Sequence, residues 1–527
     1  MSGRAAALKD SAANWQQHMP AMVLELLILA GAFVRFFKLA HESLNYDELA
    51  SVWTSKLPLG RLISEAIAQG HPPVFNLLAY FWPMPAGGEI WARFLSAFFG
   101  VLIIPLIYAT GKEIHSRRAG LWAAAFAAIS PLMVWYARDA TSYSWLTLVS
   151  LLSFYFLARC SKRGGWKNWA LYIIATLLMI FSFYLAFIMV FAGLAVYWLL
   201  TDSRNRRVSG WAVSHVFLGM VLTVFFLLTR SATAGRSGLS MPSLTFFAKD
   251  VIYWPIAFVQ GYASQDIGGG VLGVLITHRE AIIVMAIAGL LMLALAAFKP
   301  ARRMLIKREI VAAGVYLLIL VAGPVAVQLA APGASFAERY YAWAAPAFAL
   351  FLGLIVSNIP PRLAFLAGTP FIAAMLYYSA VELKVPRNEN WRGVMSIIAA
   401  NRSGGDEMLC FPETHCAVAA AFYLPGNLQM FGGYVQSYGA DLSSKPWGGY
   451  SNREFFSQYR GNELDSKINS YLQTADRVWL VSGDGALGNY PASPQISAVM
   501  AKSWKRVQNW DMPPLDLGLF VRRNGLR

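Results

Sequence analysis

Asn45-Tyr46-Asp47-Glu48 sets two carboxylates side by side in the polar interval Leu39 to Arg93, and Gly70-His71-Pro72-Pro73 adds an imidazole to the same interval. Apolar runs flank it on both sides. A carboxylate at mid-bilayer depth costs roughly 2.5–3.5 kcal/mol on insertion scales, so these acids are expected at the water interface. There, an Asp with a neighbouring Glu can act as a general base or bind a cation. Pro72 and Pro73 end any preceding helix, which holds His71 at a turn close to the membrane surface. Arg138 and Arg339 lie at the ends of later apolar runs, beside Asp139 and Glu338. Each group also has a plain structural reading. Asp47 can cap a helix starting near Leu49, and Glu48 can be a solvated first-turn acid. His71 can hydrogen-bond within its turn, and the arginines can pair with their acidic neighbours as interface anchors.

The elements that must position these groups are membrane spans. Of 527 residues, 57% are hydrophobic and 14% charged, and the mean hydropathy is +0.47; a soluble chain carries nearer a quarter charged residues. The formal charge of +16 does not indicate nucleic acid, because the basic residues fall in short runs between apolar stretches: Lys112 to Arg118, Arg159 to Lys167, Arg204 to Arg207 and Lys299 to Arg308. That is the positive-inside pattern, which fixes orientation. It places the N-terminus in the cytoplasm and the intervals 40–90, 230–275, 332–340 and everything after about 382 outside. About eleven spans are expected, the first from Met19 to Leu39, then 91–111, 119–137, 140–158, 168–183, 185–200, 211–229, 280–298, 309–331, 341–357 and 363–381. The stretch 168–200 is too long for one span at about 1.5 Å per residue and is split near Tyr184. In the first outer interval, Leu49 to Leu57 and Leu59 to Ala68 show apolar residues at helical spacing, which predicts two short helices in the interface plane.

From about Asn388 the composition turns polar. Strands are expected at 407–411, 476–482, 504–510 and 517–522, and helices at 391–401, 416–424, 453–473 and 493–501, an alternation that predicts a small α/β layer domain outside the cytoplasm. The fold class is therefore a polytopic α-helical membrane protein with a C-terminal extracytoplasmic α/β domain. Its parts are a cytoplasmic N-terminus 1–18, a spanning part 19–385 that includes the loop 40–90, and the outer domain 386–527. Of three cysteines, Cys160 sits at a span end, while Cys410 and Cys416 can close a small disulfide loop outside the cytoplasm or stay as buried thiols. The turns at Gly404-Gly405-Asp406 and Ser482-Gly483-Asp484-Gly485 form neither a P-loop nor a GxGxxG unit. A transporter or lipid flippase is the rival class; it calls for ionisable residues deep within spans rather than at their ends.

Asp-Glu, then His-Pro-Pro, then Arg93-Phe94-Leu95-Ser96-Ala97 opening the second span resembles the GT-C glycosyltransferases. The nearest branch is the bacterial relatives of the dolichyl-phosphate-mannose protein mannosyltransferases and the lipid A aminoarabinose transferases. The likeness runs on through Ala119-Gly120-Leu121-Trp122, Ser130-Pro131, Arg138 and Tyr143, and returns at Arg339-Tyr340 with Pro346 and at Asn390-Trp391-Arg392. It implies transfer of a sugar from a polyprenyl-phosphate donor to a glycolipid, glycan or protein acceptor, with inversion, on the outer face of a bacterial inner membrane. In that frame Asp47 is the base, with Glu48 and His71 beside it, and Arg93, Arg138, Tyr143, Arg339 and Tyr340 face the carrier phosphate or substrate. No cofactor is demanded; a divalent metal on Asp47 and Glu48 is a candidate that the resemblance also allows. One departure is Phe183-Tyr184, where many relatives place a Tyr-His pair.

Overall fold

The structure is a computed structural model. It describes residues 2–68, 72–83, 88–201, 208–233, 256–261, 306–330, 338–384, 388–404, 406–411, 413–424, 461–473, 475–483 and 500–523, with single positions at 279, 282, 283, 286 and 498. The expected span 280–298, His71 and most of the loop 230–275 lie outside these residues. The chain divides into two compact units. One holds residues 1–37, 70–75 and 93–385, and the other 38–69, 76–92 and 386–527. Most of the loop 40–90, grouped with the spans on sequence grounds, thus belongs with the C-terminal part.

The first unit is built from apolar helices: α1 (Ser2–Phe36), α5 (Glu89–Ile114), α6 (Arg117–Ile129), α7 (Pro131–Ala137), α8 (Tyr143–Lys162), α9 (Trp166–Ile180), α10 (Phe187–Leu200), α11 (Val208–Thr233), α12 (Arg308–Ala330), α13 (Ala345–Ser357) and α14 (Pro361–Glu382). Among the described residues, six helices are long and apolar enough to cross a membrane, or seven if the bent pair α6–α7 is one span; three shorter apolar helices accompany them. The split expected near Tyr184 is present, a 3-10 turn at Tyr184–Ala186 separating α9 from α10.

The bend between α6 and α7 measures 59°. Its cause is Pro131, which has no N–H and disfavours helix in the residue before it. Such a break strands carbonyls in an apolar setting, at about 1–3 kcal/mol for each one left unsatisfied. Here three are re-satisfied by side chains. Arg35 donates from Nη2 to Ala127 O at 3.0 Å and from Nη1 to Ala128 O at 2.8 Å, and Ser379 Oγ donates to Ile129 O at 2.8 Å. Arg35 is completely buried.

The face of α6 that carries Ala119, Gly120, Ala123, Ala124, Ala127 and Ala128 is buried. Small residues let helices approach closely in a membrane, where packing rather than the hydrophobic effect drives association. Gly353 of α13 is the partner: a Cβ there would sit 2.7 Å from the Ala123 nitrogen and 2.9 Å from its Cα. Gly353→Leu is therefore expected to lower stability by about 1–3 kcal/mol or more through forced separation of α6 and α13. Gly219→Ala in α11 is the control, since nothing lies within 4 Å of the added Cβ. Thermal unfolding of the detergent-solubilised protein reads both.

In the second unit, α2 (Tyr46–Ser55), α3 (Leu59–Ala68) and α4 (partly, Val74–Tyr80) precede α15 (Trp391–Asn401), α16 (Glu413–Tyr423) and α17 (Gly461–Tyr471). Leu59 and Ile63 of α3 are exposed, as are Phe81, Ile90 and Trp91, a composition suited to a membrane interface. A four-stranded sheet follows the order β1-β2-β4-β3, with β1 (Asp406–Phe411), β2 (Arg477–Gly483), β3 (Trp504–Met512) and β4 (Leu515–Arg522). β1 and β2 are parallel, Asp406 opposite Arg477, and the other pairings are antiparallel. One face packs Leu409, Val478, Trp504 and Phe520 against Ile468, Leu472 and Met500. At the end of β1, buried Asp406 accepts from Arg477 Nη2 at 2.9 Å and Trp479 Nε1 at 2.8 Å, so a buried carboxylate is both paired and hydrogen-bonded.

Candidate active site

The helix bearing the two acids begins at Tyr46, and its N-cap is Asn45. Asn45 Oδ1 accepts from Glu48 N at 2.9 Å, and Glu48 Oε2 accepts from Asn45 N at 2.9 Å. This is a reciprocal capping box, which satisfies two orphan donors at a helix start. Glu48 is fully buried, and Asn388 Nδ2 reaches its Oε2 at 3.4 Å while donating to Ser43 O at 2.9 Å. Neither plain structural reading of the two acids holds: Asp47 is not the cap, because Asn45 takes that position, and Glu48 is not solvated, because the cap and Asn388 draw it inward. Asp47, at the second helical position, is exposed, and its carbonyl accepts from Ser51 Oγ at 2.8 Å.

Residues distant in sequence surround Asp47. The Tyr46 ring stacks on His415 with centroids 3.8 Å apart and planes at 24°, and Trp391 lies 6.5 Å from the imidazole. Burial lowers the His415 pKa to about 4, against the opposing charge of Asp47. Burial raises the Glu389 carboxyl, and the charges of Asp47 and Glu48 raise it further. Ser43 Oγ donates to Glu389 O at 2.5 Å. Farther along, Glu89 is buried and accepts from Tyr423 Oη at 2.6 Å and from Arg392 Nη1. Arg392 also donates to Ala40 O at 3.1 Å and His41 O at 2.8 Å, and Leu44 N donates to Tyr423 Oη at 2.8 Å. The loop leading into α2 is thereby tied to α15 and α16. Burial, then the hydrogen bond and charge of Glu89, hold the Tyr423 phenol above its ordinary range.

His415 has a consequence for stability. Its folded pKa lies below the unfolded value, so the unfolded chain binds the extra proton. The contribution is intact above about pH 6.5 and is lost as pH falls toward 4, by up to about 1.4 kcal/mol per unit. Glu389, shifted upward, acts in the opposite direction above its unfolded pKa. The comparison is therefore wild type against His415→Phe. The variant is expected to lose less stability between pH 6.5 and 4.5, read by hydrogen exchange of residues 44–56.

In the spanning unit, Arg138 closes α7 and donates from Nη1 to Val34 O at 3.3 Å, Arg35 O at 3.2 Å and Phe37 O at 2.6 Å. It caps the C-terminal carbonyls of α1, where a cation also meets the negative end of the helix dipole. Lys38, at φ 50°, then turns the chain out of the helix. Arg93 is buried in the second turn of α5, and Tyr143 is buried at the start of α8 with its ring 4.9 Å from that of Tyr136. Arg339 and Tyr340 lie in a 3-10 stretch, Glu338–Ala344, that leads into α13; the Tyr340 side chain is outside the described atoms. Cys416 is disulfide-bonded and Cys160 is a free buried thiol; the Cys410 side chain is not among the described atoms.

Among the described residues no group of three His, Cys, Asp or Glu is arranged to hold a metal ion. With Glu48 engaged by the capping box, the described residues do not fit a divalent ion on the Asp47–Glu48 pair. Sequence reasoning missed Arg35, Glu389 and His415. Arg35 had a signal, a charge inside an apolar run; His415 had none.

A family model described as dolichyl-phosphate-mannose-protein mannosyltransferase matches residues 70–230. No curated protein matches the sequence. Among solved structures, ArnT from Cupriavidus metallidurans in the apo state aligns with TM-score 0.54 at 12% identity, covering 96% of this chain and 98% of that one. The same protein bound to undecaprenyl phosphate gives 0.50 at 12% identity, with 96% and 98% covered. AglB, the oligosaccharyltransferase from Archaeoglobus fulgidus in complex with an inhibitory peptide and a dolichol-phosphate, gives 0.51 at 14% identity, covering 89% of this chain and 70% of that one. The chain is thus a multi-pass membrane protein with the GT-C glycosyltransferase fold. Within that fold, residues 70–230 resemble the dolichyl-phosphate-mannose-protein mannosyltransferase family model, which spans less than half of the chain.

Proposed function

We propose that this protein is an integral membrane glycosyltransferase that moves a sugar from a polyprenyl-phosphate carrier to an acceptor on the outer face of the membrane, with inversion at the anomeric carbon. The observation that carries the reading is the division between two adjacent acids. Glu48 is buried and committed to the helix cap, and Asp47 is presented outward at the first turn of the same helix. The solved structures of ArnT with undecaprenyl phosphate and AglB with a dolichol-phosphate support a lipid-linked donor. The basic runs at Lys112 to Arg118 and Arg159 to Lys167 fall at helix junctions, which supports a cytoplasmic N-terminus and an outer C-terminal unit.

In the proposed step the acceptor oxygen attacks the anomeric carbon from the face opposite the phosphate. Its proton passes to Asp47, and the bond from the anomeric carbon to the phosphate oxygen breaks with its electron pair leaving on the carrier. The leaving group is already activated, so no nucleotide is consumed. Arg93 and Arg339 are the proposed partners of the departing phosphate, since guanidinium groups stabilise such charge with bidentate geometry. Arg138, with Nη1 spent on α1, serves by holding that helix end. Mass spectrometry of surface glycolipids and glycoproteins from a deletion strain, its parent and a complemented strain tests the proposal. A sugar mass lost on deletion and restored on complementation is the expected result and names the acceptor; unchanged profiles overturn it.

A further inference from the structure

We infer that His415, supplied by the C-terminal unit, is a positioning residue for Asp47, acting through its stack on Tyr46; this rests on the proposed transfer reaction. Asp47 is the residue after Tyr46, on the first turn of α2, where only the cap and neighbouring side chains fix the chain direction. The 3.8 Å stack at 24° is a close, near-parallel contact. It belongs to a wider grip by α16 on the segment 44–56. Tyr423 Oη, on the same helix, accepts from Leu44 N at 2.8 Å, and Lys56 lies 5.5 Å over the Phe422 ring. One helix thus holds the acid-bearing segment at its start, at its first helical residue and at its end. Trp391, fully buried at the start of α15, also neighbours the imidazole, with ring centroids 6.5 Å apart. Cys416, the next residue, is buried and disulfide-bonded, which anchors the helix that carries the imidazole. Among the described residues, Tyr46, Asp47 and Trp391 neighbour the imidazole. A flat neutral ring in this place orients the first turn without neutralising the acid it must leave reactive.

The test uses the full chain in membranes of the deletion strain, with the restored sugar mass per unit time as the readout and Asp47→Asn as the reference. His415→Ala is expected to slow product formation about tenfold or more, as misplacement of a reacting group does. His415→Phe, which keeps a stacking ring, is expected to restore most of the rate, whereas His415→Gln, similar in length but unable to stack, does not. Tyr46→Ala is expected to match His415→Ala, and the double variant to be no slower than either, because both remove one contact. Equal rates for the Phe and Gln variants, a wild-type rate for His415→Ala, or losses that multiply in the double variant overturn the inference. If His415→Ala does not accumulate, the Phe and Gln pair decides alone. An active Asp47→Asn variant refutes the base role given to Asp47, whereas an inactive one beside a fully active His415→Ala refutes only the role given to His415.

Discussion

Asp47→Asn is expected to cut transfer by roughly 10²–10⁴-fold, the range that a positioned general base contributes. The substitution keeps the side chain's size but removes its negative charge and with it the ability to take a proton. Folding should be nearly untouched: Asp47 is exposed and the capping box is made by Asn45 and Glu48, so the stability change should stay within about 0.5 kcal/mol. Glu48→Gln offers the contrast. Its amide can still accept from Asn45 N, and Glu48 is given a structural role, so a partial loss from a loosened α2 is expected rather than abolition. Expression level, thermal midpoint and glycan mass spectra measured together separate the two. If Glu48→Gln is dead and Asp47→Asn active, the roles assigned to the two acids are reversed.

The largest expected effect on stability is at Arg35. Its guanidinium is fully buried and bridges from α1 to the carbonyls that the Pro131 break exposes. Arg35→Ala leaves Ala127 O and Ala128 O without that donor, at about 1–3 kcal/mol each, and opens a void beside Gly31 and Gly100, both of which lie against the arginine side chain. A combined loss on the order of 3–6 kcal/mol would consume much of an ordinary folding free energy. The variant should therefore accumulate poorly or unfold at a markedly lower temperature. Arg35→Lys, with one donor group in place of a fork, should lie between. An Arg35→Ala protein with an unchanged thermal midpoint would show that the break at Pro131 is stabilised by other groups.

Much of this architecture was legible in the sequence because its signals are local. Span positions follow from runs of apolar residues, although the expected span 119–137 was read as unbroken and the bend at Pro131 emerged only in the structure. The strands near 407, 476, 504 and 517 were found at their observed places, three of them as short apolar runs between polar turns, whereas Trp504–Met512 is mostly polar and exposed. The helix at 391–401 was read correctly to the residue, with Asn390 as its cap. The start of α2 was misjudged although a signal existed: Asn followed three residues later by Glu marks a helix start, and Asp47 was an equally acceptable cap by residue type. What settles the matter is Asn388, which approaches Glu48 from more than three hundred positions away and favours its burial. The same holds for His415 on Tyr46 and Arg392 on Glu89. Such contacts leave no periodicity or spacing in the chain, so the second unit's hold on the acid could be seen only after folding. Arg138 illustrates the converse. The resemblance gave it a place near the carrier phosphate, and the geometry shows a helix cap at its Nη1.

The account requires Asp47 to lie on the outer side of the membrane, where a lipid-linked sugar would be presented without nucleotide. Single cysteines placed at Ser51 and at Arg61, in a chain with Cys160 replaced by serine, report this directly when intact cells are treated with a membrane-impermeant maleimide. Labelling of both positions without permeabilisation, with a cysteine at Arg117 labelled only after it, is the predicted result. Labelling of positions 51 and 61 only after permeabilisation would put the acid on the cytoplasmic face and contradict the proposed reaction.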